Sequence, residues 1–156
     1  MNIFYLDQCP IKAAEYALDK HVVKMPLETA QILCSAFESA PYKRTHYKHP
    51  SSIWARSTKA NYEWLIKHGI ALCEEYKHRY GKEHKSRAVI EWCQERINEL
   101  SFQKNEFTEP PQCMPDDAKA TTSVEGYRNY YVKYKSYIFS WKNRQHPHWI
   151  NNIMKV

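Results

Sequence analysis

Glycine is scarce, with three in 156 residues. That leaves no room for the glycine-rich loops that cradle nucleotide phosphates, and neither a Walker A nor a dinucleotide-binding glycine pattern occurs. His-Glu-x-x-His and Gly-x-Ser-x-Gly are missing too, so zinc-hydrolase and serine-hydrolase chemistry have no anchor. No cofactor is expected. No apolar run approaches the roughly 18 residues that span a bilayer, and no signal peptide is evident, so the expected setting is the cytoplasm, without a membrane partner. The five cysteines, Cys9, Cys34, Cys73, Cys93 and Cys113, are odd in number, widely spaced and free of any Cys-x-x-Cys pair. Neither a disulfide framework nor a cysteine-rich zinc site follows from them. His46, His49, His78, His84, His146 and His148 show no metal-ligand spacing, and no metal is expected.

Positive charge and aromatic rings are what the chain has in quantity. Its formal net charge is +6 and its sequence pI is about 9.0, with twelve tyrosines and five tryptophans. Lysine and arginine interleaved with aromatics suit a surface that neutralises phosphates and stacks on exposed bases. Few turn residues and long amphipathic stretches predict an all-α fold. One domain over residues 1–156 is expected, a compact helical bundle with a long central helix and an irregular proline-rich loop.

The apolar stretch Asn2 to Leu6 is expected to tuck against the core and pin the N-terminus. Pro10 opens a short helix through Leu18. Asp19 is placed to cap the next helix, in which Pro26 is tolerable only if the helix starts late or bends, and the pattern runs to about Ser39. A basic, aromatic loop spans Ala40 to His49. Helix resumes from Ser51, in one or two pieces with Ser57 able to cap the second, and Tyr62, Leu65, Gly69, Leu72 and Tyr76 mark the core stripe of the longest helix, which stops at Gly81. Another helix is expected from Ser86 to about Leu100. Pro110, Pro111 and Pro115 make Ser101 to Asp117 irregular. The last substantial helix is expected from Ser123 to about Trp141, with its aromatics divided between core and ligand contact, and Trp149 packs back on the bundle.

The chemistry is placed in Asp19 to Gln31. On a helix, His21, Lys24, Glu28, Gln31 and Ser35 share one stripe at steps of three and four. Val23, Leu27, Ala30, Cys34 and Phe37 fall about 100° away and form the expected core face. Such a polar row is often a solvated face with ordinary ion pairs. It is also a compact way to hold a catalytic carboxylate rigidly.

Asp19-x-His21 followed by Glu28, seven residues after the histidine, resembles the Asp-x-His and later Glu of the pyrimidine-dimer DNA glycosylases of the phage endonuclease V type. His49-Pro50 before a long helix, the Glu74-Glu75-Tyr76-x-x-Arg79-Tyr80-Gly81 ending of that helix, and Tyr130-Tyr131-Val132-Lys133-Tyr134 near the C-terminus have counterparts in the same order. The resemblance covers most of the chain. It implies an all-helical enzyme that flips a base from duplex DNA, attacks the sugar C1′ with its N-terminal α-amine, and proceeds through a Schiff base to strand scission. An α-amine suits the task because its intrinsic pKa of about 8 leaves a neutral fraction at neutral pH. By position Glu28 would be the acid partner, stabilising cationic character at the sugar, and His21 would hold the DNA or the carboxylate.

The chain departs from the family pattern at Leu27, where an arginine is usual, and at Gln31, where the family is basic. The family's amine usually belongs to a small residue exposed by removal of the initiator Met, whereas here Asn2 follows Met1 in an unfavourable context for removal. The nucleophile is therefore Met1, or Lys24 from within the stripe, or neither, the last describing a monofunctional relative or an inactive binder. On the first reading Gln31, His49, Arg56, Arg79, Lys82, Arg128, Lys133 and Lys135 serve double-stranded DNA, Tyr131 wedges or stacks, and the enzyme is a monomer. The alternatives are a non-catalytic nucleic-acid-binding protein and a small-nucleotide protein whose pocket is lined by His21, Lys24, Glu28 and Arg79.

Overall fold

The computed structural model describes residues 1–154. These residues form an all-α fold: α1 (Pro10–Tyr16), α2 (Asp19–Cys34), α3 (Pro50–Ser57), α4 (Lys59–Tyr80), α5 (Arg87–Glu95), α6 (Ser123–Tyr134) and α7 (Trp149–Met154). No strand occurs among the described residues, where the β-type pairing is an isolated bridge between Thr58 and Lys104. No described helix is long and apolar enough to cross a membrane. The helix α4 is the axis of the fold, and α1, α2, α3 and α5 pack on it.

Local chemistry explains the boundaries. The hydroxyl of Thr58 accepts from the Asn61 N–H at 3.0 Å and starts α4, while the Ser57 hydroxyl donates back to the Ile53 carbonyl within α3. The cap therefore falls one residue after the position expected from sequence. Gly81 ends α4 with φ of 71°, a left-handed conformation that suits glycine. At Gly69 the helices meet, since a Cβ there would come within 2.9 Å of Thr29 and 3.0 Å of Ile90.

Three expectations for α2 are corrected. It runs unbroken from Asp19 through the buried Pro26, and ends at Cys34 rather than near Ser39. Pro26 forfeits the ladder hydrogen bond to the Val22 carbonyl, and the neighbouring Val23 carbonyl pairs with Nε2 of His84 at 2.8 Å. Asp19 is the first helical residue, and its carboxylate accepts from Ser140, the Lys142 N–H and Arg79 instead of capping. Burial alone would raise its pKa, but those hydrogen bonds and the Arg79 charge outweigh burial and hold it below the ordinary value. The expected core face holds at Ala30, Cys34 and Phe37, which are buried, and is corrected in the first half of the helix. Val22, Met25, Thr29, Ile32 and Leu33 are buried, whereas Val23 and Leu27 are 44% and 40% exposed. Since both faces of the segment carry apolar residues, periodicity alone did not choose between them.

Ile3, Phe4, Tyr5 and Leu6 are buried, so the N-terminal stretch is pinned as expected. The Asn2 side chain donates to the Cys113 carbonyl at 2.9 Å and accepts from the Ile3 N–H at 2.8 Å. Arg128 donates to the Leu6 carbonyl and to Asp7. Residues 101–117 are irregular as anticipated, and Trp149 is buried against Tyr16 and Tyr131. The helices α5 and α6 stop earlier than expected, each giving way to a 3-10 turn, Ile97–Glu99 and Ser136–Ile138.

Arg79 is a structural residue. Its side chain is 0% exposed, and its guanidinium donates to Glu75, Asp19 and the carbonyls of Ala17 and Glu15. Arg144 closes the same network on Glu75. Arg79→Ala would leave Glu75 to Arg144 alone and take the guanidinium from Asp19 and from the carbonyls of Ala17 and Glu15, and a loss of about 3–5 kcal/mol in urea unfolding is expected. A loss below about 1 kcal/mol would show the network to be dispensable.

Candidate active site

The polar stripe of α2 and the pinned N-terminal segment meet in one cavity. Met1, Asn2, Phe4, His21, Lys24, Met25, Glu28, Tyr130 and Lys135 line a space of about 310 Å³. At its centre the Met1 nitrogen lies 3.6 Å from Oε1 of Glu28, and the Asn2 N–H donates to that same oxygen at 3.2 Å. The other oxygen, Oε2, is 3.6 Å from Nζ of Lys24 one turn earlier. Glu28 thus holds the first peptide unit from one side and a lysine from the other.

The two amines differ in how firmly they are held. The Met1 side chain is 3% exposed, and the segment that carries it is fixed by Asn2, by the buried residues 3–6 and by a left-handed Phe4 at φ of 51°. A phenylalanine in that conformation is unfavourable, so the surrounding contacts must impose it. Lys24 is 70% exposed on a flexible stem.

His21 forms the opposite wall. Its ring stacks on Phe4 at a centroid distance of 4.1 Å, and its Nδ1 lies 2.7 Å from the Tyr131 hydroxyl. Burial first, then the charges of Lys135 and Lys24, push its pKa down to about 3, so the imidazole is neutral at physiological pH. His49 caps α3, with Nδ1 accepting from the Ser51 N–H at 3.0 Å. Burial lowers its pKa, the charges of the terminal amine and His46 lower it further, and Glu28 opposes them. His49 therefore feels both members of the amine–carboxylate pair.

Of the residues singled out in sequence, the structure brings Met1, His21, Lys24, Glu28 and Lys135 to this cavity. Gln31, Arg56, Lys82 and Lys133 lie outside its lining. Arg56 packs its guanidinium over Tyr47 at 3.8 Å, Lys133 donates to the Asp117 carbonyl, and Lys82 is exposed in the turn after α4. Two assignments to DNA are corrected. Arg79 has its donors engaged inside the protein, and Tyr131 is fully buried with no ring face to offer a base. Arg128 is engaged in holding Leu6 and Asp7.

Phe4, Asn2 and Met25 complete the cavity without having been singled out, and Tyr130 joins them from the C-terminal aromatic motif. The apolar run containing Phe4 reads as plain core, and nothing in spacing places Asn2 beside Glu28, 26 residues away. A larger cavity of about 620 Å³ lies between α1 and α4, lined by Ile11, Ile70 and Glu74 among others, but it lacks a held amine beside a carboxylate. Among the described residues no group of three or more His, Cys, Asp or Glu is placed to hold a metal ion.

An amine beside a carboxylate in a small polar cavity can form a carbon–nitrogen bond and manage the protons that accompany it. Comparison with known proteins returned no matching curated protein and no matching solved structure. A family model described as pyrimidine dimer DNA glycosylase matches residues 1–88, which hold α1 to α4, Met1, His21, Lys24, Glu28 and His49. That match spans more than half of the chain, and the protein belongs to the pyrimidine dimer DNA glycosylase family.

Proposed function

We propose that the protein excises a damaged pyrimidine from duplex DNA and cleaves the strand at the resulting site, using the Met1 amine as nucleophile and Glu28 as its acid–base partner. The observation that carries this reading is the 3.6 Å approach of the Met1 nitrogen to Glu28 on a segment held in place by its neighbours. The neutral amine attacks C1′, a carbon–nitrogen bond forms, and the glycosidic bond breaks with the base taking up a proton. Opening of the sugar ring protonates its oxygen and leaves an iminium between C1′ and the amine. Removal of a proton from C2′ then expels the 3′ phosphate, and water releases the sugar fragment. Glu28 is within reach to take the amine proton, stabilise the cationic sugar and return protons.

The lesion must leave the helix to reach a cavity of about 310 Å³. Flipping costs a few kcal/mol and costs least where stacking is already disturbed, which supplies part of the selectivity. Lys24 and Lys135 at the cavity, and Lys133, Lys82, Arg56, His49 and Gln31 beyond it, are assigned to the DNA around the flipped nucleotide.

A labelled duplex with a single cyclobutane pyrimidine dimer tests the reading. Strand scission at the lesion, and none on the undamaged duplex, is the expected outcome. Salt-sensitive binding of the duplex with neither base release nor scission would replace the enzyme by a non-catalytic binder.

A further inference from the structure

We propose that Tyr131 is a positioning residue that sets the tautomer of His21, so that His21 presents an Nε2–H donor to the cavity. The hydrogen-bond chain fixes the direction of each proton. The Tyr131 hydroxyl meets the Leu18 N–H at 3.2 Å, which is a donor, and Nδ1 of His21 at 2.7 Å, so among the described residues Nδ1 is the acceptor for its buried proton. A neutral imidazole that accepts at Nδ1 carries its hydrogen on Nε2. Burial drives the Tyr131 phenol pKa far upward, so the hydroxyl keeps the proton it donates.

The surroundings hold this arrangement rigidly. Tyr131 is 0% exposed on α6, Leu18 is the residue just before α2, at its N-cap, and the Phe4 ring covers the imidazole face. The cavity already contains the amines of Met1, Lys24 and Lys135 opposite the single carboxylate of Glu28. A charged imidazolium would add a further cation beside the nucleophilic amine. A neutral N–H donor instead offers a directed hydrogen bond to an oxygen of the bound sugar or its phosphate without competing for Glu28. The tautomer does not depend on the glycosylase reading, whereas its use on a sugar-phosphate oxygen rests on it.

Nitrogen NMR of the isotopically labelled full chain at neutral pH reads the tautomer directly. His21 is expected to show a bare Nδ1 and a protonated Nε2. A protonated Nδ1, or an imidazolium with both nitrogens protonated, would overturn the proposal whatever the protein does to DNA. In Tyr131→Phe the bare Nδ1 signature is expected to be lost, and retention of the wild-type signature in the folded variant would remove Tyr131 from the role. Should that variant not fold, the wild-type spectrum and a pair of His21 variants still decide. The amide nitrogen of glutamine reaches the place of Nε2 and that of asparagine the place of Nδ1, so His21→Gln should retain about tenfold more scission activity than His21→Asn. Equal activity in the two, or the reverse order, would contradict a donor at Nε2.

Discussion

Glu28→Gln is expected to slow strand scission at a pyrimidine dimer by about 10³-fold, within the range of a positioned acid–base group. Glutamine keeps the shape of the side chain and an oxygen able to accept from the Asn2 N–H, so the N-terminal segment stays docked. What it removes is the negative charge beside the Met1 nitrogen and the capacity to move a proton. Affinity for the damaged duplex should hold or rise, since a carboxylate near a polyanion has been neutralised. Single-turnover scission and salt-dependent binding, measured on the same preparation, separate the two effects. A loss below about tenfold would take Glu28 out of the chemistry.

A change at the amine should be at least as damaging. Placing one glycine ahead of Met1 moves the terminal nitrogen by about 3.8 Å, farther than the present gap to Glu28. The altered chain retains every side chain of the fold, yet its scission rate should fall by about 10⁴-fold, because well-oriented nucleophiles reach effective molarities of about 10⁵ M or more. Acetylation of the same nitrogen should do likewise. Lys24→Gln offers the contrast. It removes an exposed ion pair, which contributes roughly 0–1 kcal/mol, and a DNA contact whose loss shows in affinity, so scission at saturating enzyme should change by about fivefold or less. If the lysine variant were inactive and the extended chain active, the nucleophile would be Lys24.

The reach of the sequence can be judged residue by residue. The polar step from His21 to Glu28 and the long helix ending at Gly81 were legible, because both follow from helical spacing and a left-handed stop. The burial of residues 3–6 was legible from their apolarity. What spacing could not show was which apolar flank of α2 faces the core, since Val22 and Val23 are chemically alike and only the position of α4 and α5 distinguishes them. Arg79 and Tyr131 read as DNA contacts because arginine and tyrosine look the same in sequence whether buried or exposed. Their fates were set by partners 60 and 110 residues away, Asp19 and His21. The amine–carboxylate pair joins residues that no local pattern connects; the family resemblance implied it, and the N-terminal segment lying against α2 supplies its geometry.

Borohydride reduction of the enzyme during its reaction with dimer-containing duplex, followed by peptide mapping of the cross-link, tests the central claim most directly. The expected result is a covalent protein–DNA adduct on the N-terminal amine of Met1, absent when that amine is acetylated. An adduct on Lys24, or scission of the damaged strand with no adduct at any amine, would contradict it.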